Sequence, residues 1–264
     1  MKQKYACTSN SIIQRLPLVP PMFTQLSPVI RDRLSKIAGV LYTLRPIKST
    51  LLLECTPSEL TVFEHGLSGH FEEINTSRMS ATRSPSEFDA LGVWRVDAAH
   101  MEDSASFVAA LTRLNRIFVG ERSTVRSGHI RTVSDKNGVS IQFPALKDLD
   151  LQISWLRRGI NDEKNKDIQL LYAIASLPIL TNSHLFVDGN GRVSRIVFNH
   201  ILHRIGLPSN VYLPVYDIMM LSQGGFLIRL RQAEIQNSWE PFISFMLDFI
   251  DFCRSMTKNH MRQS

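Results

Sequence analysis

Along most of the chain, apolar residues recur every three or four positions, the period of an amphipathic helix. Ile30, Leu34, Ile37, Leu41 and Leu44 form one such stripe, and Ser27-Pro28 ahead of it supplies an N-cap followed by proline at the first helical position. Thr56-Pro57-Ser58-Glu59 is a second start signal, a capping box with proline at N1, and opens a helix running toward Gly66 or beyond. Phe107, Leu111, Leu114 and Phe118 mark another helix, which Gly120 can end. Helical patterns then cover 148–157, 162–180, 192–205, 217–236 and 240–257, the last with Phe242, Phe245, Phe249 and Cys253 on one stripe. Pro178 predicts a kink or an end in the second of these. Residues 1–26 lack sustained periodicity and read as an arm, and residues 77–98, richer in Ser, Thr and Arg, read as a connection.

The period changes in one place. Ile130 and Val133 precede Asp135-Lys136-Asn137-Gly138, after which Val139, Ile141 and Phe143 alternate, so 128–143 reads as a β-hairpin turned at Asn-Gly. An isolated hairpin is marginal in water and has to lean on helices. The pattern therefore predicts an all-α fold with one hairpin attached.

Composition narrows the setting. With 264 residues, 44% of them hydrophobic, the chain can bury one good core, or one main domain with a smaller appendage. A formal charge of +6 favours acidic or phosphorylated partners, but no run of five like charges focuses it, so nucleic acid is not the expected partner. Cys7, Cys55 and Cys253 are odd in number and far apart, which argues against a disulfide framework or a zinc site and for a reducing compartment. The N-terminal stretch has no apolar core of a signal peptide, and the longest apolar run, AIASLPIL at 173–180, is too short to span a bilayer. A cytoplasmic protein without a membrane segment is expected.

The chemistry concentrates in HLFVDGNGRVSR, His184 to Arg195. Each glycine inside a helix costs about 1 kcal/mol against alanine, so Gly-Asn-Gly marks a turn leading into a helix. Such a turn offers backbone N–H groups at the helix's positive end, a ready anion site. Gly189 and Gly191 permit close approach, Asn190 adds a side-chain donor, and Arg192 and Arg195 at i and i+3 place two guanidinium forks on one face, suited to a polyphosphate. Asp188 beside that anion needs a bridging cation, which Mg²⁺ supplies with one carboxylate, phosphate oxygens and water. His184, with a pKa near neutrality, can take a proton from an attacking hydroxyl. Singly, each residue also suits a capped helix start with exposed arginines. Jointly, eight specified residues in twelve arise by chance on the order of 10⁻⁸ times in such a chain.

The stretch resembles the Fic-domain motif HxFx(D/E)GNGRxxR at every specified position, with Leu185 where proline often follows the histidine. The resemblance implies an all-α Fic-domain helical fold with one β-hairpin flap, and transfer of AMP from ATP to a protein hydroxyl with release of pyrophosphate. It implies that His184 is the general base, Asp188 the Mg²⁺ ligand, Gly189, Asn190, Gly191 and Arg192 the phosphate cradle, and Arg195 the partner of the γ-phosphate. A P-loop is excluded because no GxxxxGK[ST] occurs, and the Fic subgroup that phosphorylates its targets usually has Ala-Asn-Lys at 189–191. The flap, Gly128 to Phe143, is expected to hold a target protein by strand addition. Related transfers of UMP or phosphocholine, and a nucleotide-binding module without transfer activity, are the alternatives.

Two further family features have candidates. An inhibitory helix with the pattern [S/T]xxxE[G/N] is matched by Ser68 and Glu72, near 57–75, so Glu72 is the expected partner of Arg195. Glu73 stands where Gly or Asn is usual and lies about 100° round the helix, which leaves either acid as the inhibitor. The adenine pocket is expected between Gly225 and Asn237, at Phe226. His200 and His203, at i and i+3, lack a carboxylate in register and read as surface or core residues rather than metal ligands. The expected organisation is an N-terminal helical region over 1–100 and the Fic domain over 101–264.

Overall fold

The computed structural model describes residues 11–46, 84–97, 101–132, 138–222 and 224–260. Among them are nine α-helices: α1 (Pro28–Val40), α2 (Ser84–Asp97), α3 (Ser104–Val119), α4 (Asp150–Asn161), α5 (Lys166–Ser183), α6 (Asn190–Ile205), α7 (Val215–Leu221), α8 (Gly225–Gln236) and α9 (Glu240–His260). Two strands complete the set, β1 (Ser11–Gln14) and β2 (Val139–Gln142).

The start signals work as the sequence predicts where they are described. Ser27 Oγ accepts from the Ile30 N–H, and α1 turns Ile30, Leu34 and Ile37 inward. Asp103 and Ser106 form a reciprocal capping box on α3, and Gly120 closes that helix at φ 65°. The Thr56 start signal lies outside the described residues.

Three elements differ from the sequence expectation. The stretch read as a connection at 77–98 contains α2, whose inward residues are Glu87, Ala90, Leu91 and Trp94. The pattern at 217–236 is two helices, because Gly224 at φ 92° ends the run and starts α8. Pro178 neither ends nor divides α5, which continues to Ser183. That helix is buried almost all round, and the Thr181 hydroxyl donates to the Leu177 and Pro178 carbonyls, one of several side-chain bonds along a proline-bearing turn.

Helices α5 and α6 pack along their length and form the centre of the molecule. Around them, α1 lies on α5 and α9, α2 on α6, and α4 on α5. One apolar cluster runs through all of these, from Leu34 and Leu41 through Trp94, Phe107 and Phe198 to Phe249. The segment before β2 closes the expected hairpin: Thr132 N–H donates to the Ile141 carbonyl at 2.9 Å and Phe143 N–H to the Ile130 carbonyl at 3.0 Å. Residues 133–137 of its turn lie outside the described residues. The arm of the sequence reading contributes β1, which pairs in parallel with β2, Ser11 opposite Val139 and Gln14 opposite Gln142.

Candidate active site

The motif sits where α5 stops and α6 starts. His184 ends α5 in the left-handed region, φ 46° and ψ 53°, and the next four residues cross to Gly189 at φ 85°. Leu185 and Phe186 are buried and anchor the crossing, while Val187 and Asp188 face solvent. Asn190 staples the loop: its Oδ1 accepts from the Phe186 N–H at 3.0 Å and its Nδ2 donates to the Phe186 carbonyl at 2.7 Å. One Asn190 N–H is thus engaged in holding the turn.

Gly189 is required twice over. Its φ is positive, and a Cβ there would lie 2.2 Å from Asn115 Nδ2. Asn115 comes from α3, donates to the Asp188 carbonyl at 2.9 Å and is itself fixed by the Ser123 hydroxyl at 2.6 Å. Because Gly189 is the N-cap and gives no side-chain cap, the first-turn N–H groups of α6 are left for a ligand.

His184 lies against the flap, its ring stacked on Phe143 at a centroid separation of 3.8 Å and 12° between planes. Burial lowers its pKa below the ordinary histidine value, and a hydrogen bond to the Thr181 carbonyl opposes that shift. A neutral ring that donates from one nitrogen to Thr181 presents the lone pair of the other, the form a general base needs. Asp188 is mostly exposed, accepts from the Gly189 N–H at 2.6 Å and pairs with Arg192 at 3.2 Å. No group of three or more His, Cys, Asp or Glu able to hold a metal occurs among the described residues. One exposed carboxylate beside an anion turn still fits Mg²⁺, which takes its other ligands from phosphate and water.

Arg195 is held by Glu87 of α2. Its Nε lies 3.0 and 3.2 Å from the two carboxylate oxygens and its Nη2 2.5 Å from Oε1. Glu87 is fully buried and also accepts from the Tyr212 hydroxyl at 2.8 Å, while the Tyr216 ring lies 5.2 Å from the guanidinium carbon. A carboxylate on Arg195 is thus Glu87, 108 residues away; Ser68, Glu72 and Glu73, the candidates read from the sequence, lie outside the described residues.

Comparison with known proteins agrees with this geometry. A sequence model of the Fic/DOC family matches residues 107–202, from α3 through most of α6. Over that region the chain is similar to the Fic/DOC family. The chain is 29% identical over 139 residues to the protein adenylyltransferase Fic of Drosophila melanogaster, covering 52% of this chain and 27% of that protein. The same named protein of Drosophila ananassae is 25% identical over 154 residues, 58% of this chain and 29% of the relative. The chain therefore spans under a third of the length of these curated relatives. Its fold is similar to a Fic family protein from Desulfovibrio desulfuricans, at TM-score 0.57 and 21% identity over 92% of this chain and 77% of that one. Fic-1 from C. elegans superposes at TM-score 0.50 and 17% identity, over 89% and 74%.

The Fic motif opens onto a cavity of about 310 Å³ that His184, Asn190, Gly191, Ser194 and Arg195 line on one side. Phe226, Leu227 and Leu230 of α8 form the other, which puts the sequence-expected pocket residue Phe226 beside the motif. At one end Glu234, its pKa raised by burial, pairs with Arg15 at 3.3 Å and with Arg231. A larger open groove, about 820 Å³ and lined by Val108, Thr112, Val125 and Ile153, contains no chemical group of the motif.

Sequence reasoning missed four residues of the Fic site. Arg126 is buried and spreads its guanidinium over the His184 and Ser183 carbonyls at 2.9 and 3.2 Å, the Gly128 carbonyl at 2.8 Å and the Pro144 carbonyl. It ties the end of α5 to both feet of the flap. Glu87, Tyr212 and Arg15 were the others, and each is a polar residue whose partner is remote in sequence. His200 is a core residue and His203 is half-buried: burial pushes His200 down to about 3 and His203 to about 4, and His203 sits between Arg95 and the Val211 carbonyl.

Proposed function

We propose that the protein transfers AMP from ATP to a protein hydroxyl and that it is held back by Glu87. The observation that carries the reading is the pairing of an open helix-terminal anion turn with a neutral His184 at its mouth. The adenylyltransferase naming of the relatives supports the choice of nucleotide. The first turn of α6 and Arg192 bind the phosphates, and the cavity beside Phe226 takes the base. The acceptor hydroxyl attacks the α-phosphorus, an O–P bond forms, the bond to pyrophosphate breaks, and His184 takes the hydroxyl proton. Asp188 is the residue to hold Mg²⁺, which when bound neutralises charge on the phosphates.

Arg195 lies in the cavity and would meet the terminal phosphate, but Glu87 holds it by two parallel hydrogen bonds of the fork type. While that pair stands, the polyphosphate loses its second arginine and gains a buried carboxylate as neighbour. An internal competitor worth ~1–3 kcal/mol suppresses activity ~5–150-fold. The test is incorporation of label from α-labelled ATP into the protein itself, for wild type and Glu87→Gly. Activation by the substitution is expected. Equal, low incorporation by both with ATP bound normally would sink the inhibitory role, and no incorporation from any nucleotide would sink the transfer reading.

A further inference from the structure

The flap has no free edge at β2. On one side, Ile130 and Thr132 hydrogen-bond it; on the other, β1 runs parallel to it over four register pairs, and the Arg15 N–H continues the ladder to the Gln142 carbonyl at 2.8 Å. The side taken by β1 is the side of the site. Arg15, directly after β1, and Phe143, directly after β2, both line the cavity with His184, whereas Ile130 to Thr132 do not. We infer that β1 occupies the flap edge on which an extended, hydroxyl-bearing segment of a target protein docks, as a stand-in that must leave before the target binds. This rests on the AMP-transfer reading, which requires a protein chain to reach His184.

The way β1 is held fits an exchangeable strand. All four of its side chains are exposed, Ile12 at 46% and Ile13 at 54%, so no core burial retains it. Parallel ladders are slightly weaker per residue than antiparallel ones, and an element with few buried contacts opens at low cost. From Arg15 onward the chain is anchored firmly. Arg15 is buried, lies 5.0 Å over the Phe143 ring and pairs with Glu234, Asn182 donates to the Leu16 carbonyl, and Leu18 N–H donates to Gln152. The strand can therefore peel back as far as Gln14 while the cavity wall stays in place. An edge strand satisfied in this way is also protected from pairing with the wrong chain.

Two variants remove the stand-in differently. Deleting residues 1–14 leaves Arg15 and its partners. Ile13→Pro keeps the arm but removes the N–H that faces β2, since alternate N–H groups of a strand face one neighbour and that of Arg15 does so. The probe is a fluorescein-labelled synthetic peptide of residues 8–14, TSNSIIQ, followed by anisotropy without nucleotide. A cis occupant present more than ~90% of the time weakens apparent binding at least ~10-fold, so the shortened chain should bind the peptide that much more tightly than wild type, with Ile13→Pro shifted in the same direction. Equal binding by all three proteins overturns the inference, and if the shortened chain loses its helical circular dichroism, Ile13→Pro alone decides. Label incorporation from ATP by Glu87→Gly is read separately. Peptide capture without any incorporation keeps the exchangeable edge and removes AMP transfer as its purpose.

Discussion

His184 stands at the end of α5, where a left-handed backbone swings the ring under Phe143 and out of bulk water. Burial favours the neutral ring, so the base form is already present at neutral pH. The sign follows directly: with a folded pKa below 6.5, AMP transfer should hold steady through pH 7 and fall only when acid protonates the ring below 6.5. A profile of kcat/KM against pH checks it, and an acid limb centred above 6.5 would mean that another group titrates. Replacing His184 by alanine leaves the phosphate-binding turn intact, so ATP affinity should persist while transfer drops ~10²–10⁴-fold. The turn and the helix start it leads into were legible in the sequence because they lie within twelve contiguous residues whose types are set by local chemistry. For Asn190, the sequence shows that an amide is present, but only the fold shows that Phe186 engages both ends of it.

At the scale of elements, the arrangement depends on holding the end of α5 and the feet of the flap together, and Arg126 does this with one guanidinium. Its fork reaches carbonyls on three segments at once, which a lysine ammonium cannot copy. Arg126→Lys should therefore lower the rate of transfer by on the order of 10²-fold through misplacement of His184 against its acceptor, with ATP affinity little changed. A parallel loss of ATP binding would point to a collapsed cavity instead. Helices with a clean apolar stripe, such as α1 and α3, were readable from the chain. Helix α2 was not, because its inward face carries Glu87 among Ala90, Leu91 and Trp94, and that charge makes sense only beside Arg195. Ser84-Pro85 with Glu87 close behind was the available start signal, of the same kind as Ser27-Pro28. Strand β1 was hidden for a different reason: four exposed residues pair in parallel with a strand 128 positions later, and no local window contains both.

Across the whole molecule, the N-terminal helices share one core with the matched Fic region, so the helix that carries Glu87 and the helix that carries Arg195 are packed into one unit. The contact between α2 and α6 carries Glu87 on Arg195 and, further along, Trp94 edge-on to His200 at 6.0 Å. No helix among the described residues is long and apolar enough to cross a membrane. His200 is buried with neither ring nitrogen hydrogen-bonded among the described residues, and its pKa is pushed down to about 3, first by burial and then by Arg204, His203 and Arg95. The linkage is fixed by that direction. Below pH 6.5 the unfolded chain takes up a proton that the folded chain refuses, so stability is complete above 6.5 and lost as pH falls toward 3. By pH 5 the loss from this one ring is about 2 kcal/mol. His200→Leu removes the titrating group and also a buried polar ring without partners, so the variant should match or exceed wild-type stability at pH 7 and lose less of it at pH 5. Denaturant unfolding at the two pH values measures both quantities. If the variant and wild type lose the same stability between them, His200 is not buried neutral in solution.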